Sequence, residues 1–247
     1  MRRSLLLGSL LFVAFAVALA PAGLMRQAVR QVQGLDLLNP QGTVWNGNAE
    51  LYIAGSSAGQ IAWSFRPVTI LQAELGYDVQ LEGPQQSLRV RLAAAPGRLN
   101  VQLTGTVQGG YVNQWLAPYD IGIGGTLAFQ AAELGLAWRQ PAGADPSALA
   151  TGSAAGTLTW DGGAVAYTLS GRRYNATLPA LEARLGPGLE AVAYEQGGQT
   201  PLLTAAALRN GFVRLGVTRR MTDLLNNPWP GSSAPHEVVL EVEEQLF

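Results

Sequence analysis

The sole histidine, His236, stands between Pro235 and Glu237, and it bounds the catalytic chemistry open to this chain. A Ser-His-Asp triad would have to use it, and no nucleophile elbow is expected to serve it. With one histidine and no cysteine, a nitrogen- or sulfur-rich metal site cannot be assembled, so His236 is expected to be a loop residue. Glu241, Glu243 and Glu244 could supply carboxylates for acid–base work. Glycoside hydrolysis, however, needs two carboxyl groups in environments that separate their pKa values. Alternation with Val238, Leu240 and Val242 instead puts Glu241 and Glu243 together on a solvated strand face. The glycines of Gly122-x-Gly124-Gly125 lack the following helix that a phosphate cradle requires. No catalytic, cofactor-binding or metal-binding residue is assigned, and no cofactor is expected; an envelope hydrolase built on His236 or Glu241 stays as a third functional class behind the two developed below.

The elements around these residues are strands. Apolar residues alternate with polar ones at Ile61/Trp63/Phe65, Tyr77/Val79/Leu81, Leu88/Val90/Leu92 and Leu99/Val101/Leu103. The same period recurs at Leu134/Leu136/Trp138, Val165/Tyr167/Leu169, Val213/Leu215/Val217 and Val238/Leu240/Val242. A period of two places one face of each strand on a core and the other in water. With 30 glycines punctuating the chain, the fold class is all-β: an antiparallel curved sheet or a β-sandwich-like domain. Asn46-Gly47 and Asp161-Gly162 carry the residues of type I′ hairpin turns. Their surroundings match as well, Gly42-Thr43-Val44-Trp45-Asn46-Gly47 resembling Gly156-Thr157-Leu158-Thr159-Trp160-Asp161-Gly162. Either Gly-Thr-apolar is a favourable strand opening, or two similar β lobes arose by duplication, with halves at 42–139 and 156–247. Gln140 to Gly156 is rich in Ala, Gly, Pro and Ser and predicts a loop or linker. Helix is expected only at Gln27–Val32, Tyr111–Leu116 and Thr218–Leu225, with Leu178–Leu185 open between strand and helix.

The N-terminus has a different character. Arg2 and Arg3 precede an apolar run from Leu5 to Leu24, which as a helix spans roughly 30 Å, the thickness of a bilayer core. Ala18-Leu19-Ala20 fits a signal-peptidase pattern, but Pro21 follows it and the run exceeds the usual apolar length of a signal peptide, ~7–15 residues. The expectation is an uncleaved transmembrane anchor over residues 1–26, its arginines in the cytoplasm, with residues 27–247 as a β-rich domain in the periplasm. The alternative is a cleaved signal peptide. A net charge of −1 and 13% charged residues give no basic excess for nucleic acid.

Five tryptophans, Trp45, Trp63, Trp115, Trp138 and Trp160, fall roughly one per strand and predict core or sheet-edge packing. Trp229 differs. In Pro228-Trp229-Pro230-Gly231 the prolines stiffen a turn around one large side chain. That arrangement suits a contact anchor for another protein, with Trp229, Pro228 and Pro230 as the contact residues, or a plug at a sheet edge.

Several of these stretches coincide in one family. The anchor, Gly42-Thr43-Val44-Trp45-Asn46-Gly47, Ile61-Ala62-Trp63-Ser64-Phe65-Arg66-Pro67 with Ile70-Leu71, and Arg219-Arg220 through Pro228-Trp229-Pro230-Gly231 to Val239-Leu240-Glu241-Val242 resemble the type II secretion system protein N (GspN) family. The resemblance implies a bitopic protein of the bacterial inner membrane, a non-catalytic part of the apparatus that moves folded proteins from the periplasm across the outer membrane. Its partners would be other apparatus proteins and the inner-membrane bilayer. The Trp-x-Phe-Arg-Pro stretch is also similar to AsmA-type β modules, which implies the alternative of an envelope lipid-binding or lipid-transfer module with a lipid ligand.

Overall fold

Antiparallel strands dominate the computed structural model, which describes residues 12, 15–32, 34–137, 152–169, 171–208 and 211–245. The chain forms two compact units, one running to Pro84 and the other from Gln85. Residues 1–11, 13 and 14 of the expected anchor lie outside the described residues, as do Trp138 and the part of the expected linker before Gly152. In the described part the helix of residues 15–18 stops, and the chain turns at Leu19. Pro21, which has no N–H to donate, bridges Thr43. Its neighbours are pinned instead, Val44 N–H donating to the Ala20 carbonyl and Ala22 N–H to that of Gly42. A separate helix α1, Gly23–Val29, follows, overlapping the helix expected at Gln27–Val32. Among the described residues no helix is long and apolar enough to cross a membrane.

In the first unit, β1 (Leu35–Gly42), β2 (Asn46–Ile53), β3 (Ser56–Arg66) and β4 (Leu75–Gly83) pair as neighbours in sequence order. Residues directly opposite share a face, so Ala49, Ile61 and Leu81 line up, as do Trp63 with Val79 and Phe65 with Tyr77. Trp63 is buried at 4% exposure and its indole donates to the Thr43 carbonyl. The type I′ expectation at Asn46-Gly47 fails. Those residues open β2, and the positive φ (88°) belongs to Gly42. The two-residue turn of this unit with both φ values positive is Ala54-Gly55, at 49° and 81°, which is the type I′ geometry.

In the second unit, β5 (Gln86–Ala95), β6 (Arg98–Gln108), β8 (Thr126–Ala137), β9 (Gly152–Trp160), β12 (Leu181–Gly186), β13 (Glu190–Glu195), β14 (Pro201–Ala207), β15 (Phe212–Thr218) and β16 (Val238–Gln245) lie side by side in that order. Between β6 and β8 come helix α2 (Gly109–Leu116) and the short β7 (Gly122–Ile123). β10 (Gly163–Leu169) and β11 (Arg172–Leu178) leave the large sheet and join β7 in a second, three-stranded sheet. Asp161-Gly162 is therefore no hairpin. It is the corner at which the chain changes sheet, Gly162 at φ 85° carrying the bend and the Asp161 carboxylate accepting the Thr126 N–H. The end of the expected linker, Gly152–Gly156, is strand, and Leu178–Leu185 resolves into the end of β11 and most of β12. Helix α3, Arg219–Leu224, connects β15 to the segment that leads into β16. Its first N–H groups would lack partners within the helix; those of Arg219 and Arg220 donate to the carbonyls of Glu237 and Pro235.

The core of this unit gathers Trp160, Val165, Leu178, Leu202 and Met221 between the two sheets and α3. Away from it the alternation holds without the burial it predicts. Val238, Leu240 and Val242 are exposed by 42–44%, although alternation turns them to an expected core. β16 has β15 as its only strand partner among the described residues, and a terminal strand beyond the covering layer leaves its apolar face open.

Candidate functional site

The residues singled out for catalysis do not assemble. His236 is exposed in the turn before β16. Glu241 and Glu243 do share a face, but Arg214 of β15 lies across from them, its Nη2 donating to Glu243 at 2.8 Å and its Nε 3.6 Å from Glu241. Tyr119 donates to Glu244 at 3.3 Å. This is a solvated cross-strand ion pair. Gly55-Ser56-Ser57-Ala58-Gly59 has the Gly-x-Ser-x-Gly spacing, contrary to expectation, yet it runs from the Ala54-Gly55 turn into β3. The strand-to-helix corner of a nucleophile elbow is absent there, and the Ser57 hydroxyl donates to Glu50. Among the described residues no three His, Asp or Glu side chains converge.

The Trp229 turn is held against α3. The Thr222 hydroxyl donates to the Arg219 carbonyl at 2.7 Å and accepts the Trp229 N–H at 3.3 Å. Pro228 and Pro230 are exposed, and Trp229 is open by 38%. The side chain sits on this turn, partly open to solvent.

The stretch Trp63-x-Phe65-Arg66-Pro67 has a structural explanation. Trp63 fills the inner face of the first unit, while the Phe65 ring packs between Trp45 (4.9 Å between centroids) and Tyr77 (5.4 Å). Arg66 reaches Asp78 at 3.6 Å, and Pro67, with its fixed φ, opens a 3₁₀ turn over Pro67–Gln72. That turn buries Thr69 and exposes Val68, Ile70 and Leu71, the last by 87%.

The most site-like feature was not anticipated as a set of residues. In the second unit an apolar cavity of about 470 Å³ opens between the two sheets, within the ~300–1,000 Å³ range of small-molecule sites. The large sheet contributes Leu158, Trp160, Leu181, Ala183, Ala193 and Leu203. The opposing wall is Ile123, Val165 and Tyr167 from the small sheet, and Met221 with Leu225 close the α3 side. Only two lining side chains carry polar atoms, and both are turned to backbone. The Trp160 indole donates to the Gly124 carbonyl at 2.8 Å, and the Tyr167 hydroxyl donates to that of Leu225 at 3.0 Å. Burial pushes the Tyr167 phenol above its ordinary pKa, with the neighbouring Tyr174 adding to the shift. Gly122-x-Gly124-Gly125, set aside as a phosphate loop, is what lets backbone approach Trp160. A Cβ on Gly125 would lie 2.9 Å from the indole nitrogen. The sequence signal for the cavity is the small residue at inward positions of adjacent strands, Ala183 directly opposite Ala193.

Searches of curated proteins and of solved structures return no match. A family profile described as "Type II secretion system (T2SS), protein N" matches residues 33–211. The match contains the stretches at Gly42–Gly47 and Ile61–Pro67 and ends before α3 and the Trp229 turn. It spans well over half of the chain, which therefore belongs to the type II secretion system protein N family.

Proposed function

We propose that this protein is an accessory, non-catalytic component of a type II secretion system, tethered to the inner membrane with its β units in the periplasm, where it assists export of folded proteins across the outer membrane. The family match over residues 33–211 carries the proposal. The apolar run after Arg2 and Arg3 supports the tether. So do Val68, Ile70, Leu71 and Leu75 of the same unit, each more than half exposed, since an apolar patch of this kind suits the interfacial zone of a bilayer.

Contact with other apparatus proteins would use two features of the second unit. One is the Trp229 turn with its flanking Pro228 and Pro230. The other is the outer edge of β16, which has no strand partner among the described residues and can accept a strand from a partner. The test is deletion in the native host with every paralogue removed, followed by assay of secreted enzymes in the medium. Release is expected to fall and to return when the full chain is supplied. Unchanged release would overturn the proposal. Complementation with Trp229→Ala then tests the contact: reduced release at normal protein level supports it, and full release removes Trp229 from the interface.

A further inference from the structure

We infer that the cavity of the second unit is a binding site for a single acyl chain of a lipid or fatty acid. This goes beyond the secretion proposal and stands without it; it gives the lipid-handling alternative a defined place in the fold.

The lining decides the ligand class. No charged side chain borders the cavity, and its two polar side-chain tips are already bonded to the Gly124 and Leu225 carbonyls. An occupant therefore finds no hydrogen-bonding partner there. A peptide strand carries an N–H and a C=O at nearly every residue and would leave them unpaired, at substantial cost. A helix satisfies its own backbone but is too large. At ~10–12 Å across it would have to part Trp160 of the large sheet from Val165 of the small one, which pack in one core cluster. A hydrocarbon chain has no polar group to satisfy, gains by every methylene removed from water, and is slender enough to enter.

The sheet also offers an approach. Directly opposed residues share a face, and the row Ala183, Ala193, Leu203, Val217, Leu240 crosses from β12 to β16 without a polar side chain. Beside it runs a second such row, Leu185, Ala191, Ala205, Leu215, Val242. The cavity lies at the inner end of this track, and at the outer end Leu215, Leu240 and Val242 are exposed by 42–45%. A chain can slide along the track while its polar headgroup stays in water, as a cavity without charge requires.

The test uses the full chain in polymer-bounded native membrane discs, exposed to a palmitate analogue that carries a diazirine, then irradiated and mapped by peptide mass spectrometry. Labelling is expected on β9, β12–β14 and α3, and excess unlabelled palmitate should suppress it. Ala193→Phe fills the cavity from the floor and should cut labelling there by roughly tenfold or more, while Ser64→Ala, on the exposed face of β3 in the other unit, should leave it unchanged. If Ala193→Phe lowers the melting temperature, Ala183→Leu takes its place, and palmitate protection of the wild-type footprint decides independently of either. Labelling that palmitate does not suppress, that persists in a folded filled variant, or that maps to Val68–Leu75 instead of the cavity would overturn the inference. So would crosslinks confined to pairs of protein copies.

Discussion

The Tyr167 hydroxyl donates to the Leu225 carbonyl at 3.0 Å, joining β10 of the small sheet to the residue that ends α3. Leu225 follows the last helical turn, where backbone carbonyls lack partners within the helix, so the phenol satisfies a group that would otherwise be stranded beside an apolar cavity. The ring itself stacks on Tyr174, 5.4 Å between centroids and 15° between planes, which fixes the direction of the hydroxyl. Tyr167→Phe keeps the ring and removes the bond. The expected cost is about 1 kcal/mol, a fall in melting temperature of roughly 2–4 °C, with acyl labelling of the cavity retained. A calorimetric scan checks the first and the crosslinking assay the second; an unchanged melting temperature would show that the bond is not formed in solution.

Trp160 has a larger role, because it is both wall and tie. It is 9% exposed, packs in the core cluster and donates to Gly124. Trp160→Phe removes the donor, strands the Gly124 carbonyl and enlarges the cavity. The transfer and cavity losses with the unpaired acceptor sum to about 2–3 kcal/mol, read as a lower urea midpoint for the second unit. The same substitution at exposed Trp229 should shift that midpoint little, and equal shifts at both sites would refute the distinction between core and surface.

What was legible in the sequence follows from range. Alternation at Ile61/Trp63/Phe65 or Leu99/Val101/Leu103 is a local property of the strand, and every such stretch that is described is strand. Asp161-Gly162 looked like a hairpin turn because its neighbours in sequence suit one. Yet β9 pairs with β8 and β12 while β10 pairs with β7 and β11, a partition that no short window contains. Ala54-Gly55 was missed for the opposite reason: Ala at φ 49° is an uncommon choice for a left-handed position, and only Gly55 marked the turn. Val238, Leu240 and Val242 alternate as a core-facing strand should, but exposure depends on what lies above the sheet. The cavity draws on β7 to β15 and α3 and was invisible for the same reason, apart from the paired small residues Ala183 and Ala193.

The last strand should be the first to loosen. Arg214 pairs with Glu243 and approaches Glu241 across the β15–β16 ladder, with all three side chains 40–57% exposed. Hydrogen bonding to Glu243 leads the causes that raise the Arg214 pKa, but an exposed pair is screened and adds little to global stability. Arg214→Ala is therefore expected to leave the melting temperature almost unmoved while speeding amide exchange along β16, with β9 and β12 unchanged. High salt should reproduce this in the unsubstituted protein. Exchange that rises equally in β9 would mean that the edge and the core open as one unit.

The acid limb of stability should be governed in the first unit by Asp36. Its carboxylate accepts from Nε and Nη2 of both Arg26 and Arg30, at 2.9–3.2 Å, and from the Leu37 N–H at 2.8 Å. These bonds, that to Arg26 first and that to Arg30 second, hold the carboxyl well below the usual carboxylate range. The ion pairs also fasten the last turn of α1 and its C-terminal neighbour to β1. A depressed carboxylate stabilises the fold fully above its unfolded pKa, about 3.9. That stabilisation is lost as pH falls below this value toward the folded one. Asp36→Asn removes the charge at every pH. The variant should melt lower than the wild type at pH 7, and the two curves should converge as pH drops below about 4. Calorimetric scans from pH 7 to pH 2 measure the gap. A gap that stays constant across that range would show that Asp36 acts through packing and not through its charge.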